Sequence, residues 1–280
     1  MNPRTDLAAE QAAEQGRLPD GVESRQVRWG SVRVHRVRIQ SDRAARLMGK
    51  PKGSYYTVEG RAFTHSVDDR EEQSRAAARL LKSLLPAHGA VLVVGLGNRE
   101  LTPDALGPLT TDRVLVTRHL QKPLRLAARL RETAVLAPGV LPQTGVEAGE
   151  IIRWAVEQLH PAAVVAVDAL AARETHRLGR TIQICDAGIV PGSGVSGSRK
   201  ALSRRTLGVP VVGIGVPTVM DAATFAADLG GRTEGEELPL AVTPHDIDLG
   251  VQRSAACLAL AINMALQTDL SLTELRALSG

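Results

Sequence analysis

Between residues 90 and 216 the chain alternates short apolar runs with amphipathic stretches, and this alternation constrains its fold more than any other feature. The runs are "AVLVVGLG" (90–97), "TAVLAP" (133–138), "AAVVAVDA" (162–169), "RTIQICDAG" (180–188) and "VPVVGIGV" (209–216). They are dominated by Val, Ile and Ala on both parities, the pattern of strands buried on two faces. Between the second and third lies "TGVEAGEIIRWAVEQLH". There Thr144 and Glu147 can cap a helix whose Ile151, Ile152, Ala155, Val156 and Leu159 share one face. A last helix is expected along "TPHDIDLGVQRSAACLALAINMALQ", with Thr243 as cap and Pro244 in the first turn. The pattern predicts an α/β fold, a three-layer sandwich with a mostly parallel central sheet.

Upstream the pattern changes. Residues 1–24 are polar and rich in Ala, Glu and Gln, and read as a mobile N-terminal arm. From Arg25 to Gln40 apolar residues alternate with parity slips at Gly30 and after Val34, as in a hairpin or bulged strand. "SDRAARLMGKP" predicts a short helix and "SYYTVEG" another strand. Ser66 with Asp69 then resembles a capping box opening a helix to about Leu85. These segments predict a small β-rich appendage at about 25–60 on a single domain covering 25–280.

Composition excludes several function classes. Trp, Tyr and Phe occur only twice each, too few for the stacking platforms of a single-stranded nucleic-acid binder. The net charge of +4 gathers in "SRQVRWGSVRVHRVRIQSDRAAR", which reads as a solvated strand face rather than a nucleic-acid patch. Cys185 and Cys257 sit in apolar contexts and read as buried free thiols in a reducing compartment. No apolar stretch is expected to reach transmembrane length and "MNPRTDLAAEQAAEQ" has no signal-peptide core, so the chain reads as soluble and intracellular.

The first apolar run ends in "GLGNRELTPDALGP", two glycines and then a proline-flanked aspartate. A phosphate-binding loop is the first idea, but Glu100 stands where a dinucleotide fingerprint needs its third glycine. "GSGVSG" at 192–197 fits the spacing but is displaced from its strand, and no Walker sequence occurs. The chain has no G-x-S-x-G elbow or HExxH, and its seven histidines lack ligand spacing, so no metal or cofactor is expected. What remains is acid. Asp104 follows the strand at 90–97 and Asp168 ends the strand at 162–169. In a parallel sheet both ends reach the same edge, where ligands bind. Two close carboxylates cannot both ionise cheaply, so one can act as base while its partner keeps a proton. The alternative is structural: Asp104 as a helix N-cap and Asp168 as a turn former.

"VVGLGNRELTPDALGPLTTDRVLVTRHL" strongly resembles the germination protease of spore-forming bacteria, the endopeptidase that degrades small acid-soluble spore proteins. "SYYTVEG", "AVVAVDALAAR", "TIQICDAGIVPGSGVSGSRKALS", "VPVVGIGVPTVMDA" and "VTPHDID" agree with it in the same order. The resemblance implies a fold related to hydrogenase maturation proteases and places the catalytic aspartates at Asp104 and Asp168. It implies a zymogen that removes its own N-terminal segment, cutting after an acid and before a large apolar residue, with Ala, any residue and an acid following. "TDLAAE" fits, so cleavage is expected between Asp6 and Leu7, releasing a propeptide of residues 1–6. "TDLSLTE" at 268–274 lacks the alanine.

The resemblance further implies small acid-soluble spore proteins as substrates, no direct nucleic-acid or membrane partner, a homotetramer, no cofactor, and a cytoplasmic location in forespore and spore core. Because the cleavage pattern places acids on both sides of the bond, Arg173, Arg199 and Lys200 are candidates for reading them. Around "LGGRTEGEELPLAVT" and at its C-terminus the chain is shorter than better-known members. The rival readings are a metal-dependent endopeptidase of the hydrogenase-maturation type and a non-enzymatic binding protein on the same fold.

Overall fold

The computed structural model describes residues 5–65, 67–120, 130–191, 201–228 and 240–278. In chain order the strands are β1 (Val22–Trp29), β2 (Val32–Ile39), β3 (Gly53–Glu59), β4 (Val91–Gly95), β5 (Thr133–Leu136), β6 (Ala163–Ala171), β7 (Thr181–Cys185), β8 (Val211–Asp221) and β9 (Ala241–Val242). The helices are α1 (Ala8–Glu14), α2 (Asp42–Met48), α3 (Val67–Leu84), α4 (Leu106–Thr111), α5 (Leu141–Thr144), α6 (Ala148–Leu159), α7 (Arg204–Leu207), α8 (Ala222–Asp228), α9 (Ile247–Leu266) and α10 (Leu272–Leu278).

Among the described residues all nine strands belong to one sheet, ordered β1-β2-β3-β7-β8-β6-β4-β5, with β9 on β8. Only the β8-β6-β4-β5 half is parallel; β1, β2, β3, β7 and β8 pair antiparallel. The expected mostly parallel sheet is therefore a mixed one. The reason is connection length. Residues 172–180 between β6 and β7 hold only a 3-10 turn at Thr175–Arg177, too little for the crossover that a parallel return needs. The expected appendage is likewise part of the main sheet, because β3 pairs with β7 from Tyr55↔Cys185 to Glu59↔Thr181.

Alternation along the strands sorts the core into faces. Val91, Val93, Val165, Val167, Ile182, Ile184 and Val212 pack under α3, α4 and α9. Leu92, Val94, Val164 and Ala166 face the other way, onto Ile152 and Val156 of α6. On that same second face Tyr55 and Cys185 meet Ala8 and Ala12 of α1 and Ala44 and Met48 of α2. At 20 residues α9 is long and apolar enough to cross a membrane by length and composition. Instead it forms the core of the first face, where Val251, Ala255, Leu258 and Ile262 are almost fully buried.

Residues 5–14 are not a mobile arm. Leu7 and Ala8 are fully buried, and α1 packs against β2 and β3. β8 also runs past the expected 216 through Pro217, which the sheet accepts beside the register shift after Leu170.

Candidate active site

The glycines at the end of β4 serve close packing. Leu96 N–H donates to Val167 O at 2.8 Å, carrying the β4–β6 pairing one residue beyond Gly95. The chain then folds back on itself. A Cβ on Gly107 would stand 2.2 Å from Leu96 O, and one on Gly97 would stand 2.0 Å from Asp104 O. Gly97 also has φ +110, a conformation that L side chains rarely adopt.

Pro103 lies in a 3-10 turn, Thr102–Asp104, which presents Asp104. Asp104 N–H donates to Leu101 O at 2.8 Å, and Thr218 Oγ1 of β8 donates to Pro103 O at 2.7 Å. The Asp104 carboxylate does not cap α4, whose N-cap is Ala105. Its Oδ2 accepts the Asn98 N–H at 2.7 Å instead, closing the loop across its mouth.

Asp168 lies near the end of β6, paired with Gly215 of β8, and is 1% exposed. Its Oδ1 accepts the Ala169 N–H at 2.9 Å. By strand alternation Asp168 shares the face of Val164 and Ala166, the α6 side of the sheet. On that side a cavity of about 320 Å³ is lined by Leu96, Gly97, Asn98, Asp104, Leu202 and Leu207, among others. A second cavity, of about 250 Å³, includes Asp6, Lys50, Leu170, Gln183 and Cys185 in its wall. Ala201 borders both, and Asp168 is in the wall of neither. The two acids thus hang from the C-terminal ends of adjacent parallel strands.

The N-terminal segment lies along the continuation of β6. Asp6 N–H donates to Ala171 O at 2.9 Å, and Asp6 Oδ2 accepts the Ala171 N–H at 2.8 Å. Gln183 of β7 brackets Leu7, its Nε2 donating to Asp6 O at 2.7 Å and its Oε1 accepting the Ala8 N–H at 2.8 Å. Leu7 itself packs on Leu170 and Ala172. Arg173 holds the chain's own helix, donating to Glu10 O at 3.0 Å and pairing with Glu14 at 2.6 Å. Arg199 and Lys200 lie outside the described residues.

The electrostatics of this pocket are set by burial. Desolvation pulls the Lys50 ammonium below its usual value, with the Asp6 carboxylate the leading opposing influence. Burial pushes the Cys185 thiol up to about 11. Among the described residues no group of three or more His, Cys, Asp and Glu comes together.

Lys50, Arg177 and Gln183 were not singled out by sequence reasoning, and Glu10 entered only as the acid that completes the cleavage pattern in "TDLAAE". Gln183 offered a signal, a lone polar residue inside the apolar run "TIQIC". The burial of Glu10 had no such signal, since it depends on partners far along the chain.

The family model described as germination protease matches residues 4–230. The chain belongs to the germination protease family. A germination protease of Caldanaerobacter subterraneus is 37% identical over 316 aligned positions, covering 98% of this chain and 97% of that protein. The germination protease of Bacillus subtilis is 42% identical over 240 positions, covering 80% of this chain and 65% of its own. Among solved structures, a NiFe hydrogenase maturation protease from Thermococcus kodakarensis matches at 20% identity and TM-score 0.38, over 65% of this chain and 98% of that one. As a member of the germination protease family the chain is a peptidase, a hydrolase of spore germination.

Proposed function

We propose that the chain is an aspartate-dependent endopeptidase that opens the degradation of small acid-soluble spore proteins, with Asp104 and Asp168 as its catalytic pair. The observation that carries this reading is their placement: one acid beyond the end of β4, the other near the end of β6, on strands paired in parallel from Val91↔Ala163 to Gly95↔Val167. In the reaction the ionised carboxylate takes a proton from water as the water oxygen attacks the peptide carbonyl carbon. The protonated partner donates to the carbonyl oxygen. Collapse of the tetrahedral intermediate breaks the C–N bond, the proton held by the first carboxylate passes to the leaving nitrogen, and the re-formed carbonyl oxygen returns its proton to the partner. Removing either acid removes one half of this exchange.

The same reading makes the chain a zymogen that cuts itself between Asp6 and Leu7, works on spore proteins inside the forespore and spore core, and assembles as a homotetramer. The docking of Asp6 on Ala171 and of Leu7 on Leu170 supports the first of these, because it holds this peptide bond against the strand that carries Asp168. The test is mass spectrometry of purified protein incubated at mildly acidic pH, wild type beside Asp104→Asn and Asp168→Asn. Loss of residues 1–6 in wild type alone is expected. Equal cleavage in all three proteins would remove both acids from the mechanism.

A further inference from the structure

Glu10 is 0% exposed. An unmatched carboxylate at such a position is strongly unfavourable, and here it is matched almost entirely by one short stretch of chain. Its Oε2 accepts the main-chain N–H of Arg173 at 2.9 Å and the hydroxyl of Thr5. Its Oε1 accepts the main-chain N–H of Glu174 at 3.0 Å and faces Arg177 Nε at 3.5 Å. Arg177 is itself held by Glu59 and by Glu174, the latter at 2.6 Å. Two consecutive amides and a braced guanidinium therefore make a fixed anion cradle.

The cradle has a defined register. It begins two residues after β6 ends at Ala171, and β6 carries Asp168. A chain gripped there is positioned relative to Asp168 by continuous backbone. The resident segment uses that register in full. Asp6 pairs with Ala171, Leu7 fills the apolar niche of Leu170 and Ala172, Gln183 reads the backbone on both sides of Leu7, and Glu10 drops into the cradle. Most of these contacts are to the backbone or to side-chain class, so a different chain of the same pattern could make them.

We infer that the amides of Arg173 and Glu174, with the guanidinium of Arg177, form the subsite that recognises an acidic side chain four residues beyond the cleaved bond in protein substrates, and that Glu10 fills it as an intramolecular stand-in. The inference rests on reading the chain as a peptidase that cleaves between Asp6 and Leu7. It gives Arg177 the anion-reading role and leaves to the Arg173 side chain the holding of the N-terminal helix. It also makes Glu10 a competitor of substrate.

The test uses two quenched-fluorophore peptides with this chain's sequence from Pro3 to Glu14, one carrying Glu and one Gln at the position of Glu10. Wild-type full-length protein is expected to favour the Glu peptide by about tenfold in kcat/KM, mainly through KM, as a charge-assisted bond implies. Arg177→Met is expected to bring the two peptides to equal kcat/KM. Glu10→Gln in the enzyme is expected to lower KM for the Glu peptide by vacating the cradle. The Gln peptide is the internal reference for folding, and the wild-type preference and the Glu10→Gln effect are read without the Arg177 variant. An unchanged Glu-to-Gln ratio in Arg177→Met, or no preference in wild type, overturns the subsite. Cleavage of neither peptide by wild type would instead sink the peptidase reading. Fluorescence anisotropy of the labelled peptides on the full chain then decides the cradle alone, and equal binding of both overturns it.

Discussion

Gly97 and Asp104 occupy the same space but for one missing atom: a Cβ on Gly97 would stand 2.0 Å from Asp104 O and 3.0 Å from its Oδ1. The loop that presents Asp104 closes only because nothing projects from residue 97. Gly97→Ala adds that atom at φ +110, so both the contact and the dihedral resist it. The expected result is a loss of at least about 2 kcal/mol of stability, read as a lower Tm. A fall of about a hundredfold in kcat should accompany it, since a displacement near 1 Å at a reacting group has that effect. An alanine variant with wild-type kcat and Tm would mean that the loop does not position Asp104.

Much of this arrangement is legible in the amino-acid order, and the reasons for the rest are physical. The core strands declare themselves because burial on two faces leaves only Val, Ile, Leu, Ala and Gly at 91–95, 163–167 and 211–214. Strand direction is less plain, because β6 and β7 look alike and only the short link at 172–180 shows that β7 runs the other way, antiparallel to the β8 that lies between them. Pro217 hides nearly half of β8, since proline usually ends a strand and here it sits at an irregularity. Asp104 and Asp168 were visible as acids at strand ends. The N-terminal segment was not, because "AAEQAAE" is as polar as a solvated helix until Arg173, Glu174 and Arg177 are brought to Glu10.

Cys185 borders the cavity that also holds Asp6, which makes it the natural suspect for a thiol mechanism. Burial argues against that role, because a thiol pushed up to about 11 carries almost no thiolate at neutral pH. Cys185→Ala is expected to keep kcat within about threefold of wild type, where loss of a nucleophile would cost at least about 10³-fold. Iodoacetamide at pH 8 should leave the native protein active. Stoichiometric inactivation by alkylation of Cys185, protected by substrate, would reverse this assignment.

His35 supplies a pH dependence of stability. Its Nε2 lies 2.6 Å from Ser24 Oγ, and burial, then the charge of Arg177, holds its pKa below the ordinary 6.5. The unfolded chain therefore takes up a proton first as the pH falls through about 6.5, and the folded state loses stability until its own lower pKa is reached. His35→Gln is expected to flatten the Tm profile below pH 6.5 while leaving it nearly unchanged at pH 8. Identical acid slopes for the two proteins would assign the loss to other groups.

Among the described residues Gln183 is the one side chain that grips the backbone on both sides of Leu7, at Asp6 O and Ala8 N–H. Gln183→Leu keeps roughly the volume and strips both bonds, so each buried backbone group loses about 1–3 kcal/mol of compensation. Global unfolding is not the cheapest response. The segment from Thr5 to Glu14 can instead lift off β7 and the end of β6, because nothing but its own contacts holds it there. Hydrogen exchange read by mass spectrometry should therefore show amides 7–12 losing protection in the variant while 91–95 and 163–167 keep theirs. Self-processing between Asp6 and Leu7 should slow, since the bond is then no longer held against β6. Unchanged protection at 7–12 would mean that the Glu10 cradle alone secures the segment. Faster processing would mean that the docked pose shields the bond instead of presenting it.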